Sequence, residues 1–210
     1  MKSLIVLAAS ATLLAAANVP PPKIDLPAPG GGKVATAVLA GGNFWSMEAV
    51  FERLQGVAAV IPGYAGGKAE DAHEDRVVTG KTKHAEAVQI AYDPAQISYG
   101  KLLQVFFAVA HDPTQFNRQG PDNGPQFRSM IFYSTDGQKQ VAQAYIAQIE
   151  KAKVFPDPIV TQVSLLTGFF PAESHHMHYA RQNPNDPYVK QNVAPKVQAL
   201  EQQFPALLKH

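Results

Sequence analysis

Cysteine is absent from all 210 residues. That excludes disulfides, thiolate metal ligation and thiol catalysis together. Charge of one sign is also lacking: 18 Lys and Arg stand against 17 Asp and Glu, a formal net charge of +1. Nothing in that balance draws the chain to nucleic acid or to an anionic membrane surface. The length is sufficient for a single domain with one sizeable core, preceded by a leader.

The first 17 residues read as that leader. Lys2 provides a positive n-region, Leu4 to Leu14 an apolar h-region, and Ala15-Ala16-Ala17 an A-x-A cleavage site. The apolar run is too short, and too soon followed by prolines, for a membrane anchor. An exported mature chain starting near Asn18 is expected, periplasmic or secreted. Residues 18–33 are proline-rich and end in three glycines, which predicts an extended or flexible linker. The folded domain is expected over residues 34–210.

From Val34 onward, strand and helix patterns interleave. Thr36 to Ala40 is apolar and feeds Gly41-Gly42, and helical spacing begins at Phe44, with Asn43 where a helix N-cap belongs. The strand His84 to Tyr92 alternates: His84, Glu86, Val88, Ile90 and Tyr92 share one face, and Ala85, Ala87, Gln89 and Ala91 the other. Ser98 is an N-cap for a heavily apolar helix, and His111 to Gln126 is a long loop. Arg128 to Tyr133 and Ile159 to Leu166 read as strands around a helix, Asp136 to Lys153. These spacings predict an α+β two-layer domain in preference to a doubly wound one.

Several residues in this frame can carry chemistry. Glu86 lies on the core-facing side of its strand, where lost solvation raises a carboxyl pKa and favours a neutral proton donor. A partner-satisfied structural carboxylate is the alternative. Phe44 and Trp45, adjacent at the first helical turn, can wall an apolar pocket or simply pack in the core. Asp122 and Asn123 are explained by turn chemistry alone. In Glu173-Ser174-His175-His176-Met177-His178, a helix would put His175 and His178 on one side. No standard zinc spacing is complete there, so no metal is expected.

Taken in order, these residues carry a resemblance. From about Val38 to Pro205 the chain resembles peptide methionine sulfoxide reductase A. The matching stretches are Gly42-x-Phe44-Trp45 with Glu48, Gly63 to Gly67, His84 to Val88, Tyr92-Asp93-Pro94 and His111 to Gln115. They continue with Arg118-Gln119-Gly120-x-Asp122, Gln126 to Ser129, and Ala172-Glu173 with His176 and Tyr179. The resemblance implies an α/β two-layer sandwich, a mixed sheet with flanking helices, and a pocket for methionine-S-sulfoxide in oxidised peptides or proteins. Phe44 and Trp45 would cage the S-methyl group, Glu86 would protonate or hydrogen-bond the sulfoxide oxygen, and Asp122 would order the polar side. It implies thioredoxin or another thiol reductant as electron donor and no bound cofactor; a monomer is expected.

The departures from that pattern fall in the same pocket. The nucleophilic cysteine of the family corresponds to Asn43, whose amide cannot form a sulfenic acid. A pocket tyrosine corresponds to Glu74, a second to Phe127 in the substrate-binding wall, and the glycine before His84 to Lys83. Ser46 is near but has a hard hydroxyl, weakly nucleophilic without a base. The expected function is therefore an inactive or impaired reductase. The alternative is a non-catalytic domain that binds methionine sulfoxide or serves as an interaction module.

Overall fold

The computed structural model describes residues 18–27 and 34–209. The expected leader, Met1 to Ala17, and the glycine-rich end of the expected linker lie outside them. Six strands form one sheet in the order β7-β6-β1-β3-β2-β8. These are β1 (Ala35–Ala40), β2 (Val57–Ala65), β3 (Ala85–Tyr92), β6 (Met130–Tyr133), β7 (Gln162–Leu165) and β8 (Phe169–Pro171). A two-stranded ribbon, β4 (Arg118–Gln119) and β5 (Asp122–Asn123), stands apart. Neighbours in the large sheet pair antiparallel except β6 and β7, which are parallel. A parallel pair needs a long crossover, and helix α4 (Asp136–Lys151) supplies it. The sheet is mixed and helix-flanked, the α+β architecture expected.

Alternation along β3 decides which side of the sheet receives the helices. Val88, Ile90 and Tyr92 face the main core, which also holds Met47, Val50 and Phe51 of α1 (Phe44–Phe51) and Leu102 and Leu103 of α3 (Tyr99–Val105). Ala85 and Ala87 face the opposite side with Val38, Ala40, Ala65, Met130 and Phe132. There the side chains are mostly small, and Leu166 and Phe169 cover them. Ser98 caps α3 by accepting the Lys101 N–H at 3.2 Å. The helix runs on as one π-helical turn, Phe106–Ala110, before His111 turns extended.

One expectation is corrected: residues 18–27, read as part of a linker, dock on α3 and α4. Val19 is buried, and its carbonyl accepts from Gln104 Nε2 at 2.8 Å. The Pro20 carbonyl accepts the Tyr145 hydroxyl at 2.7 Å, and the Asp25 carboxylate accepts the Gly100 N–H at 2.8 Å. A proline-rich segment has few N–H donors, but its carbonyls are free acceptors for helix side chains. The charged stretch after Gly67 holds a 3-10 turn, Ala69–Asp71, and a short helix α2 (Glu74–Val77). The C-terminal region contributes strand β8 to the sheet edge, besides the helices α5 (Tyr179–Gln182) and α6 (Ala194–Gln203).

Candidate functional site

The turn between β1 and α1 is squeezed from behind. A Cβ on Gly41 would sit 2.8 Å from the His111 ring, and one on Gly42 would sit 2.5 Å from Gln119 Cγ. Gly42 also has φ +87°, so glycine is required on both counts. Asn43 follows in extended conformation (φ −62°, ψ 132°) and is the N-cap of α1. Its side-chain carbonyl accepts the Trp45 N–H at 2.8 Å, and its backbone carbonyl accepts the Ser46 N–H at 3.2 Å. Glu86, reaching across from β3, accepts the Phe44 N–H at 3.1 Å on Oε2. Donors that a helix start leaves without intrahelical partners are thus taken by residues of the site itself.

Burial dominates the electrostatics. It pushes the Glu86 carboxyl up to about 8, against the opposing pull of the Phe44 N–H, and the negative charge of Asp122 adds to the rise. Near neutral pH Glu86 is therefore largely the neutral acid, with one oxygen on the helix and a proton to offer. Asp122, on β5, is raised by burial as well, although its Oδ2 accepts the Tyr188 hydroxyl at 2.5 Å. Lys196 of α6 is held down to about 8 by burial, with the Asp122 charge opposing. His111, behind the glycines, is buried between the Phe106 carbonyl (3.0 Å from Nδ1) and Ser129 Oγ (2.7 Å from Nε2). Burial holds its pKa down to about 3, so it supports the turn as a neutral ring.

Aromatic rings form the adjoining wall. Trp45 stacks on Tyr179 with centroids 3.8 Å apart and meets Tyr188 edge-on at 5.9 Å. Phe44 is nearly fully buried, with Tyr64 at 5.9 Å and the His176 ring at 4.9 Å. Of the two expected cage residues, then, Trp45 is partly open and Phe44 belongs to the core. Phe127 sits half-buried on the 3-10 turn Pro125–Phe127. Arg128 holds that turn against the start of β3, donating to the carbonyls of Pro125 (2.7 Å), Lys83 (2.8 Å) and His84 (3.1 Å).

This arrangement has close relatives. A family model described as peptide methionine sulfoxide reductase matches residues 35–207. The chain is 52% identical over 172 residues to peptide methionine sulfoxide reductase MsrA 2 of Mesorhizobium japonicum, covering 82% of this chain and 88% of that protein. A second MsrA 2, from Synechocystis, is 51% identical over 173 residues, covering 82% and 81%. Among solved structures, Mxr1 from Saccharomyces cerevisiae in reduced form superposes with a TM-score of 0.65 at 32% identity, over 73% of this chain and 87% of that one. Methionine sulfoxide reductase A of Corynebacterium diphtheriae gives 0.62 at 30% identity, over 74% and 77%. The chain belongs to the peptide methionine sulfoxide reductase family.

Within that family frame, the histidine segment departs from expectation. His175 and His178 do not share a helix face. Ser174–His176 is a 3-10 turn, and His178 takes a left-handed backbone (φ 57°) that sends its ring the other way. His178 Nδ1 lies 3.1 Å from Glu48 Oε1 and 3.4 Å from Glu52 Oε2. Its backbone N–H donates to both Glu48 oxygens, while burial raises that carboxyl to about 7. His175 and His176 instead meet Glu74, about a hundred residues earlier. Sequence reasoning passed over Tyr188 and Lys196. Tyr188 follows Asp186-Pro187 in a stretch that reads as a helix break, and nothing local connects it to Asp122.

Proposed function

We propose that this family member keeps a pocket for oxidised methionine but has lost the thiol chemistry. The observation that carries the reading is the hydrogen bond from the Trp45 N–H to Asn43 Oδ1 at 2.8 Å. The residue at the family's nucleophile position is engaged as a helix cap, in a chain that has no cysteine to replace it. An amide offers no soft lone pair to a sulfoxide sulfur. Ser46 does not substitute, because it is fully buried and no histidine or carboxylate hydrogen-bonds its Oγ among the described residues.

Binding needs no thiolate. A neutral Glu86 can donate to the sulfoxide oxygen while its second oxygen stays on the Phe44 N–H. The open face of Trp45, backed by Tyr179, can take the methyl group, and Asp122 with Tyr188 borders the polar side. The ligand class is methionine-S-sulfoxide in peptides and proteins, by family membership. A thioredoxin-type reductant becomes a partner only where thiol chemistry exists. The leader pattern of Met1 to Ala17 supports action outside the cytoplasm.

Two measurements test this. In a sulfoxide-reduction assay with dithiothreitol, the native chain should show no turnover above background, and Asn43→Cys should show turnover. Calorimetry should find methionine-S-sulfoxide peptide bound more tightly than the corresponding sulfide. Native turnover at neutral pH refutes the loss of chemistry; equal affinity for sulfoxide and sulfide refutes the pocket.

A further inference from the structure

The segment after β8 places two imidazoles opposite a carboxylate from a distant part of the chain. Glu74 opens α2, and its backbone N–H donates to Glu173 Oε1 at 3.0 Å. The other Glu173 oxygen accepts the Tyr64 hydroxyl at 2.9 Å. Glu173 is also the residue from which the 3-10 turn Ser174–His176 springs. One carboxylate therefore ties α2, β2 and the histidine turn together. It holds the Glu74 side chain in front of His175 and His176.

In that setting His175 Nε2 lies 3.1 Å from Glu74 Oε2, and His176 Nε2 lies 3.4 Å from the same oxygen. Three donor atoms, one from each residue, all fall within 4.8 Å of one another. Ligands about 2.0–2.2 Å from a tetrahedral zinc ion lie roughly 3.3–3.5 Å from each other. The two nitrogen–oxygen separations are already close to that spacing. The two nitrogens lie within 4.8 Å of each other, and the His175 side chain, 60% exposed, is free to turn.

A surface ion pair would account for His175 and Glu74. It does not account for His176. The His176 side chain is only 5% exposed, and neither ring nitrogen makes a hydrogen bond among the described residues. A buried imidazole whose nitrogens make no hydrogen bond is a cost that the fold must offset.

We propose that Glu74, His175 and His176 form a site for a borderline divalent cation, Zn²⁺ being the type ion, at the edge of the aromatic wall. Two imidazoles and a carboxylate leave a fourth position for water or a ligand. Such a donor set selects against Mg²⁺ and Ca²⁺, which take oxygen ligands almost exclusively. Because the His176 ring lies 4.9 Å from Phe44 and 5.8 Å from Trp45, an ion there stands within reach of the single tryptophan. The site borders the sulfoxide pocket and shares the Phe44–Trp45 wall with it.

The test uses the full chain without a histidine tag. Calorimetry with Zn²⁺ should find binding that needs these three residues, and Mg²⁺ should give no heat at millimolar concentration. Ni²⁺, a paramagnetic probe, should quench Trp45 fluorescence with the same dependence. Glu74→Gln and His175→Ala change exposed side chains, so both should fold, and a thermal melt confirms it. Each should weaken Zn²⁺ and Ni²⁺ by at least about tenfold, the order expected for losing a ligand or its support. His178→Ala, in the separate Glu48–Glu52 group, should bind as the native chain does. Absence of Zn²⁺ binding, native affinity in Glu74→Gln or His175→Ala, or loss confined to His178→Ala overturns the proposal.

Discussion

Replacing Asn43 by alanine isolates the structural role of the residue from any chemical one. The side chain makes one defined contact, the 2.8 Å bond from the Trp45 N–H to Oδ1, in a part-buried setting. Alanine removes that acceptor and leaves the N–H with no replacement. The neighbouring Phe44 N–H keeps its bond to Glu86, so the helix start loses one partner, not two. Loss of a single N-cap costs about 1 kcal/mol, within a range of about 0.5–2. For a domain of this size that is a fall of about 2–4 °C in Tm. In urea, with m of about 1–3 kcal/mol/M, the midpoint should fall by about 0.3–1 M while m stays constant. Asn43→Gly exposes the N–H to water and should cost only a few tenths of a kcal/mol. Urea titration of the three chains, followed by circular dichroism, reads both differences. A native midpoint for Asn43→Ala, or equal losses for alanine and glycine, refutes the capping argument.

Glu86 should make the fold weaken as pH rises. Its folded pKa of about 8 lies above the carboxyl's ordinary value near 4.5, so the native state holds the proton across that window and stability is lost from about pH 4.5 to 8. Glu86→Gln keeps an acceptor for the Phe44 N–H and should flatten this decline by up to a few kcal/mol, leaving the share contributed by Glu48 over pH 4.5 to 7; unchanged slopes in urea titrations at pH 5 and 9 would count against a buried neutral acid. Export should yield a mature chain starting near Asn18, read by intact mass of the extracytoplasmic fraction. Recovery of an uncleaved chain, or of one lacking the buried Val19, contradicts the leader assignment.

Local signals in the sequence were sufficient for the start of the site. Two glycines, an asparagine and an aromatic pair between an apolar run and a helical period specify strand, turn, cap and helix with no long-range information. The alternation of β3 similarly assigns Glu86 to the core side before any fold is known. What could not be read depends on partners far along the chain. Asp122 looks like a turn residue until Tyr188, 66 positions later, donates to it. The histidine turn looks like an incomplete metal motif until Glu74 arrives from 101 positions away. Residues 18–27 mislead for another reason. Their composition describes what the segment cannot build alone, whereas the contacts belong to Gln104, Tyr145 and Gln148 of the helices. Composition identifies segments with no core of their own; it does not identify segments that borrow one.

The same geometry explains how the family scaffold accommodates asparagine where a thiol is expected. A helix start with free N–H groups lowers the pKa of a cysteine placed there, and it also rewards a short side chain with a strong acceptor. The position therefore has two uses that draw on the same donors. Sulfur is a weak acceptor, so a cysteine leaves the Trp45 N–H poorly satisfied, whereas Asn43 satisfies it. Glu86 is unaffected by the choice, because its link to the helix runs through the Phe44 N–H. Restoring the thiol should then have two separable consequences. Asn43→Cys should lose about 1 kcal/mol of stability, as Asn43→Ala does, and gain turnover that Asn43→Ala does not. Stability lost without activity gained would mean that the pocket around Glu86 and Trp45 has drifted beyond what one residue can repair.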